Sequence, residues 1–166
     1  MYQFVAQSGA EFPKAKAPEQ GVTTLNIAVP VLAENITRSL FATAQDELRP
    51  VMNGIYFDLT PDSLAIVASD GHKLVRNRNF TVKSETPAAF ILPSKPAALL
   101  KVMMGKADGE AVVSFDNNSA RFVIADSTLT CRLIEGRYPN YNSGIPQDNP
   151  NKLTVDRQAL VGALRR

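Results

Sequence analysis

Asp70 and His72 lie two positions apart in the run Ser69-Asp70-Gly71-His72-Lys73-Leu74. A carboxylate beside an imidazole is the pair that a small acid–base hydrolase would use. With one intervening residue in a tight turn, the two side chains are poorly aimed at each other. No Gly-x-Ser-x-Gly elbow accompanies them. His72 is the single histidine and Cys131 the single cysteine. That excludes a His/Cys zinc site and leaves no second base for a triad. Cys131 alternates with Leu129 and Leu133, which reads as a small buried hydrophobe. The nine glycines are scattered, and none form a phosphate-cradling loop. These residue types call for no metal and no cofactor. His72 after Asp70-Gly71 reads, on the residues alone, as a side chain that satisfies the backbone groups of the turn.

The 166 residues are 45% hydrophobic and 20% charged, as expected of a globular chain. Eighteen basic and 16 acidic residues leave a net charge of +2, too even to argue for nucleic-acid binding. No apolar run approaches the ~20 residues of a membrane helix, and no signal-peptide core opens the chain. A cytosolic (cytoplasmic) location follows by default, with no membrane partner. A stand-alone single-stranded nucleic-acid binder would show exposed aromatics among basic residues. Phe57, Phe115 and Phe122 instead fall on core-facing phases.

Hydrophobic periodicity predicts two units of the same element order. In the first, a strand over Val22 to Val29 leads through Pro30 into an amphipathic helix from Val31 to Ala44, with Leu32, Ile36 and Leu40 on one stripe. Ile55, Phe57 and Leu59 alternate, Pro61-Asp62-Ser63 turns the chain, and Leu64, Ile66 and Ala68 alternate back. Asp70-Gly71 turns again into a strand from Lys73 to Phe80. In the second unit, Ala89 to Leu92 is a strand, Pro93-Ser94 opens a helix and Gly105 stops it. Its stripe is expected at Leu99, Leu100 and Met103. Ala111, Val113 and Phe115 alternate, Asp116 to Ser119 turns, and Ala120, Phe122 and Ile124 return. Asp126-Ser127, matching Asp70, turns into Leu129, Cys131 and Leu133. The expected fold is α+β, with two helices packed side by side on antiparallel sheet and an internal pseudo-twofold.

The ends read as pieces of neighbouring units. Tyr2 to Ala6 is a strand fragment, and Glu11-Phe12-Pro13 echoes Arg137-Tyr138-Pro139. Lys152 to Val155 reads as strand and Asp156 to Arg166 as helix. Residues 1–21 are therefore expected to be the tail of a preceding domain and a linker. Residues 22–136 form one complete domain, and residues 137–166 a connector and the start of another. Both connecting stretches, Phe12 to Gly21 and Gly136 to Asn151, are rich in turn formers.

The Ser69-to-Leu74 turn, with Met52-Asn53-Gly54 upstream and Gly136-Arg137-Tyr138-Pro139-Asn140-Tyr141 downstream, resembles the middle domain of the bacterial DNA polymerase III beta subunit, the sliding clamp. The resemblance covers essentially the whole chain. It implies the DNA-clamp fold and a non-catalytic processivity factor. In that family two subunits, each of three duplicated domains, close head to tail around duplex DNA. Polymerase, clamp loader and repair proteins insert short peptides into a pocket between middle and third domains. Carried onto this chain, the middle-domain wall is Met52, Ser69, Gly71, His72, Lys73 and Leu74. Pro139, Ser143 and Gly144 lie on the connector side. Ser143 and Gly144 stand where other clamps often carry a basic and a β-branched residue. The resemblance also turns the helices towards the hole of the ring. Arg38, Lys95 and Lys101 would then meet phosphates loosely, and Arg49, in the loop before Pro50, is the best single candidate for touching the DNA backbone. Because ring contacts belong to the first and third domains, this chain alone is not expected to close a ring.

Overall fold

The computed structural model describes residues 2–12, 16–105 and 107–166. Part of the linker expected between Phe12 and Gly21, including Pro13, falls outside them. Polar and apolar residues alternate along β1 (Thr23–Ala28), and its inward side chains Leu25 and Ile27 are buried. The chain then enters α1 (Val29–Leu40), which begins earlier than the sequence pattern suggests. Pro30 fits its first turn because the missing N–H has no partner to lose there. The helix ends at Leu40, short of Ala44. Its last carbonyl accepts the Thr43 hydroxyl at 2.9 Å, which turns the chain out of the helix.

Three strands follow: β2 (Gly54–Leu59), β3 (Leu64–Ser69) and β4 (Leu74–Asn79). The second unit repeats the order with β5 (Ala88–Pro93), α2 (Ser94–Met104), β6 (Glu110–Phe115), β7 (Ser119–Ile124) and β8 (Ser127–Arg132). The α2 stripe differs from the expected one. Ala97, Leu100 and Met104 face the core, whereas Leu99 is 56% exposed and Met103 only half-buried. Leu99 and Leu100 are adjacent, so one helical face can take only one of them. The inward row runs through Ala97, which is too small to stand out in a hydrophobic pattern. Gly105 ends the helix as expected, its N–H donating to the Lys101 carbonyl.

All pairings are antiparallel, and the strands form two sheets in the orders β1-β6-β7-β8 and β4-β3-β2-β5. Each unit therefore lends its first strand to the other unit's sheet. The two helices pack against each other, and the inner faces of both sheets close on them in one continuous core. Phe90 on β5 stacks on Phe57 at 4.5 Å between centroids and meets Phe115 of the other sheet at 4.4 Å. Phe57, Phe115 and Phe122 are buried as the alternation predicts, so they offer no stacking platform to a single strand of nucleic acid.

Three further expectations are corrected. The β7–β8 loop is Ala125-Asp126, since Ser127 already pairs with Ile124, and Asp126 is therefore not the positional match of Asp70. Neither Tyr2 to Ala6 nor Lys152 to Val155 forms a strand, because neither finds a ladder partner among the described residues. The last helix, α3, is Arg157–Leu164, with the Asp156 carboxylate accepting the Ala159 N–H at 2.8 Å. None of its residues is buried. No helix among the described residues is long and apolar enough to cross a membrane.

Candidate functional site

The loop between β3 and β4 is built on two short side chains. The Ser69 hydroxyl donates to the Lys73 carbonyl at 2.9 Å and accepts the Gly71 N–H at 3.1 Å. Asp70 Oδ1 accepts the backbone N–H groups of His72 and Lys73, both at 2.9 Å, while Oδ2 pairs with Lys73 Nζ at 2.6 Å. The Lys73 ammonium, with those two backbone donors, holds the Asp70 carboxyl well below the usual carboxylate range. Asp70 thus binds the main chain of His72 and the side chain of Lys73, not the imidazole. An acid–base dyad of Asp70 and His72 is not assembled here.

Gly71 has φ +92°, a conformation that suits glycine, and a Cβ there would lie 2.9 Å from Arg49 Nη1. Arg49 comes from the loop ahead of β2, which is itself pinned. The Asn53 side chain accepts the Asp46 N–H and donates to the Asp46 carbonyl, each at 3.0 Å. Met52 N–H returns to the Arg49 carbonyl at 3.0 Å, and Met52 is buried at 7% exposure. Gly54 then admits β5 at close range, since a Cβ there would fall 2.5 Å from the Leu92 carbonyl oxygen. Met52, Asn53 and Gly54 are thus a folded unit that carries Arg49 onto the β3–β4 turn.

The connector supplies the third part. Every residue of β3 is buried, because a second small cluster covers the outer face of its sheet. Tyr138 lies flat on Tyr56, with centroids 4.7 Å apart and planes 3° off parallel, against Ala65, Val67 and Ile91. Its hydroxyl is buried with no hydrogen-bond partner among the described residues, and burial pushes it up to about 12, opposed by the nearby Ser69 main chain. Pro139, the next residue, is exposed. Tyr141 donates to Asp58 Oδ2 at 2.8 Å; burial and that contact push its hydroxyl up to about 12. Arg76 on β4 donates to the Asn142 side chain at 3.1 Å. Ser143 and Gly144 follow in a short 3-10 turn, Tyr141–Gly144, and are exposed.

Of the residues singled out in the sequence, Ser69, Gly71, His72, Lys73 and Leu74 share one turn and its flanks, with Met52 one loop away. Pro139, Ser143 and Gly144 sit on the connector that Tyr138 and Tyr141 bolt to the same sheet. Arg38 lies on α1 in an ion pair with Glu34, while Lys95 and Lys101 are exposed on α2. Arg49 sits on neither helix. Burial pushes the Cys131 thiol up to about 11, as befits a packed side chain. A cleft of about 780 Å³ opens elsewhere, between residues 16–20 and the Asp116–Ser119 turn. Neither Met52 nor any residue of Ser69–Leu74 lines that cleft. Sequence reasoning assigned no role to Tyr138, Tyr141 or Asp58. The one signal for them was a pair of tyrosines three apart in an otherwise polar connector.

A family model described as the DNA polymerase III beta subunit, central domain, matches residues 26–140. The curated beta sliding clamp of Synechococcus elongatus is 32% identical over 169 residues, taking in 99% of this chain and 45% of its own length. The solved DNA polymerase III subunit beta of Pseudomonas aeruginosa shares the fold at a TM-score of 0.87 and 27% identity, over 96% of this chain and 44% of that one. A sliding clamp from Bartonella birtlesii, solved bound to griselimycin, gives 0.81 and 27% over 95% and 43%. The chain belongs to the DNA polymerase III beta subunit family and carries its central domain. It spans less than half the length of these relatives.

Proposed function

We propose that this chain works as part of a sliding clamp, a non-catalytic processivity factor in the cytoplasm that surrounds duplex DNA and tethers polymerase, clamp loader and repair proteins through short peptides. One observation supports the reading: the central-domain match over residues 26–140 takes in the β3–β4 turn, pinned by its own side chains, and Tyr138, stacked on Tyr56 of the same sheet. The griselimycin complex of the Bartonella relative supports a ligand-binding surface in the family. Met52 and Leu74 form the apolar floor, Ser69, Gly71, His72 and Lys73 the turn side, and Pro139, Ser143 and Gly144 the connector side. Arg38, Lys95 and Lys101 face the duplex in a closed ring of two full-length subunits, and Arg49 touches its backbone. Residues 1–21 belong to a preceding domain and its linker, 22–136 to the central domain, and 137–166 to the connector and a following domain.

A hydrolase reading loses its support from the Asp70 contacts, since both carboxylate oxygens are engaged away from the His72 ring. On its own the chain should bind duplex DNA weakly and only at low salt, because few phosphates are neutralised. The decisive experiment is NMR chemical-shift mapping with a leucine-rich clamp-binding peptide. Shifts should centre on Gly71 and Leu74. Leu74→Ala should weaken binding about tenfold by removing apolar contact, and Lys101→Ala should leave it unchanged. Shifts confined to α1 and α2 would put the peptide on the wrong face and overturn the assignment.

A further inference from the structure

The turn between β6 and β7 touches the chain where it enters the domain and where it leaves. Asp116 Oδ1 accepts the N–H groups of Asn118 and Ser119, at 2.8 and 2.7 Å, which shapes the turn itself. Oδ2 serves a distant partner and accepts the Glu19 N–H at 3.1 Å, across 97 positions of sequence. Two residues on, the Asn118 carbonyl accepts the Leu133 N–H at 2.8 Å, and Ile134 donates to the Ile91 carbonyl at 3.1 Å. Leu133 and Ile134 open the run that carries Tyr138 onto Tyr56. The two fastenings differ in depth. Leu133 is buried in the main core, and Ile134 packs on the small cluster over β3. Glu19 is exposed, and Ala17 and Gln20 line the cleft of about 780 Å³ together with Cys131 and Leu133. Among the described residues, the Glu19 bond is the one hydrogen bond that ties residues 16–20 to the rest of the domain.

We propose that Asp116 is a latch, holding the incoming linker on the turn that also anchors the connector, so that loosening one joint loosens the other. The proposal rests on the reading above of residues 1–21 and 137–166 as arms towards neighbouring domains. A strap hung on one exposed bond over a cleft leaves at little cost, because water replaces the lost partner. Its departure frees the second oxygen of Asp116 and with it the side chain that shapes the turn. The Asn118 carbonyl belongs to that turn, so the Leu133 N–H loses a fixed acceptor. Coupling between two sites requires one element whose equilibrium both of them bias, and the turn is that element. In a ring, a change of angle where the chain enters the central domain is then felt where it leaves.

Amide hydrogen exchange on the intact chain reads both joints at once. Asp116→Asn keeps one oxygen for the turn but sets an NH₂ donor against the Glu19 N–H, so it opens the latch and spares the turn. Glu19→Pro deletes the donor from the other side and leaves Asp116 in place. In Asp116→Asn the Glu19 amide should exchange about fivefold faster, the loss of one exposed bond. In both variants Leu133 and Ile134 should exchange about threefold faster, while Val113 and Phe122 in the same sheet keep their rates. Leu133 and Ile134 at wild-type rates in both variants would leave a strap without coupling and overturn the proposal. A Glu19 amide that exchanges as fast in the wild type as in Asp116→Asn overturns it too, because the bond then holds nothing. Faster exchange at Val113 and Phe122 as well, in both variants, would mean general loosening of the sheet and likewise overturn it. No partner enters the measurement, so a failed latch leaves the peptide mapping that tests the clamp reading untouched.

Discussion

The hairpins β3–β4 and β7–β8 hold equivalent places in the two halves, yet they are finished differently. The second closes with two residues, Ala125-Asp126, and Ala125 bears a φ of 48° without a glycine to ease it. The first takes four residues, Asp70 to Lys73, and secures them with the side chains of Ser69 and Asp70. The sheets behind them diverge in the same sense. In β7 the outward residue Arg121 is exposed and Val123 half-buried, whereas β3 is buried on both faces under Tyr138. The fold is satisfied by the plain version of this corner. The extra loop, its internal hydrogen bonds and its aromatic cover occur in one half only, which is where a partner shelf would need rigidity.

The largest expected effect separates the two outer faces. Tyr138→Ala should cost about 3 kcal/mol in chemical denaturation, because it empties the small cluster over β3. Val123→Ala on the other sheet should cost about 1 kcal/mol or less. Equal losses would break the contrast. Next come the turns themselves. Gly71→Ala should destabilise by about 1–2 kcal/mol, through its positive φ and the guanidinium in the way of a Cβ. Ala125→Gly should shift stability by less than about 1 kcal/mol, and in the favourable direction. Thermal melts that move both variants the same way would erase the distinction.

The smallest effect is a titration. Asp70 is held below its ordinary value of 3.8 by Lys73 and the two backbone donors. Its contribution to the first turn is therefore present above pH 3.8 and lost as pH falls towards the lower folded value. The amide shifts of His72 and Lys73 should change with a midpoint below 3.8. A midpoint at or above it would mean that the carboxylate does not hold the turn.

Much of the fold is legible in the amino-acid order itself. Ile55, Phe57 and Leu59, or Ala111, Val113 and Phe115, alternate cleanly because one side of each strand faces the core and the other does not. The turn residues and the helix stop at Gly105 are local signals as well. What escapes such a reading depends on contacts far apart in sequence. Leu99 and Met103 lose the inward phase of α2 to Ala97 and Met104, a choice made by the packing of α1 and the sheets. The double burial of β3 needs Tyr138, and the placement of Arg49 needs Gly71. No local pattern links those pairs. The terminal strands fail for the opposite reason, since a sequence pattern without a ladder partner does not make a strand.

The lending of first strands between the two units has a consequence for assembly. β1 finds its place only on β6, and β5 only on β2, so neither repeat can complete a sheet from its own residues. Two copies of one unit trading their opening strands would have the same interlocked arrangement. The fused chain is in effect a strand-swapped dimer tied by a single covalent link. Joining the copies replaces a concentration-dependent encounter with a loop closure, whose entropic cost grows only slowly with length. The halves must then fold as one event, which keeps the β3–β4 and β7–β8 hairpins at a common stability.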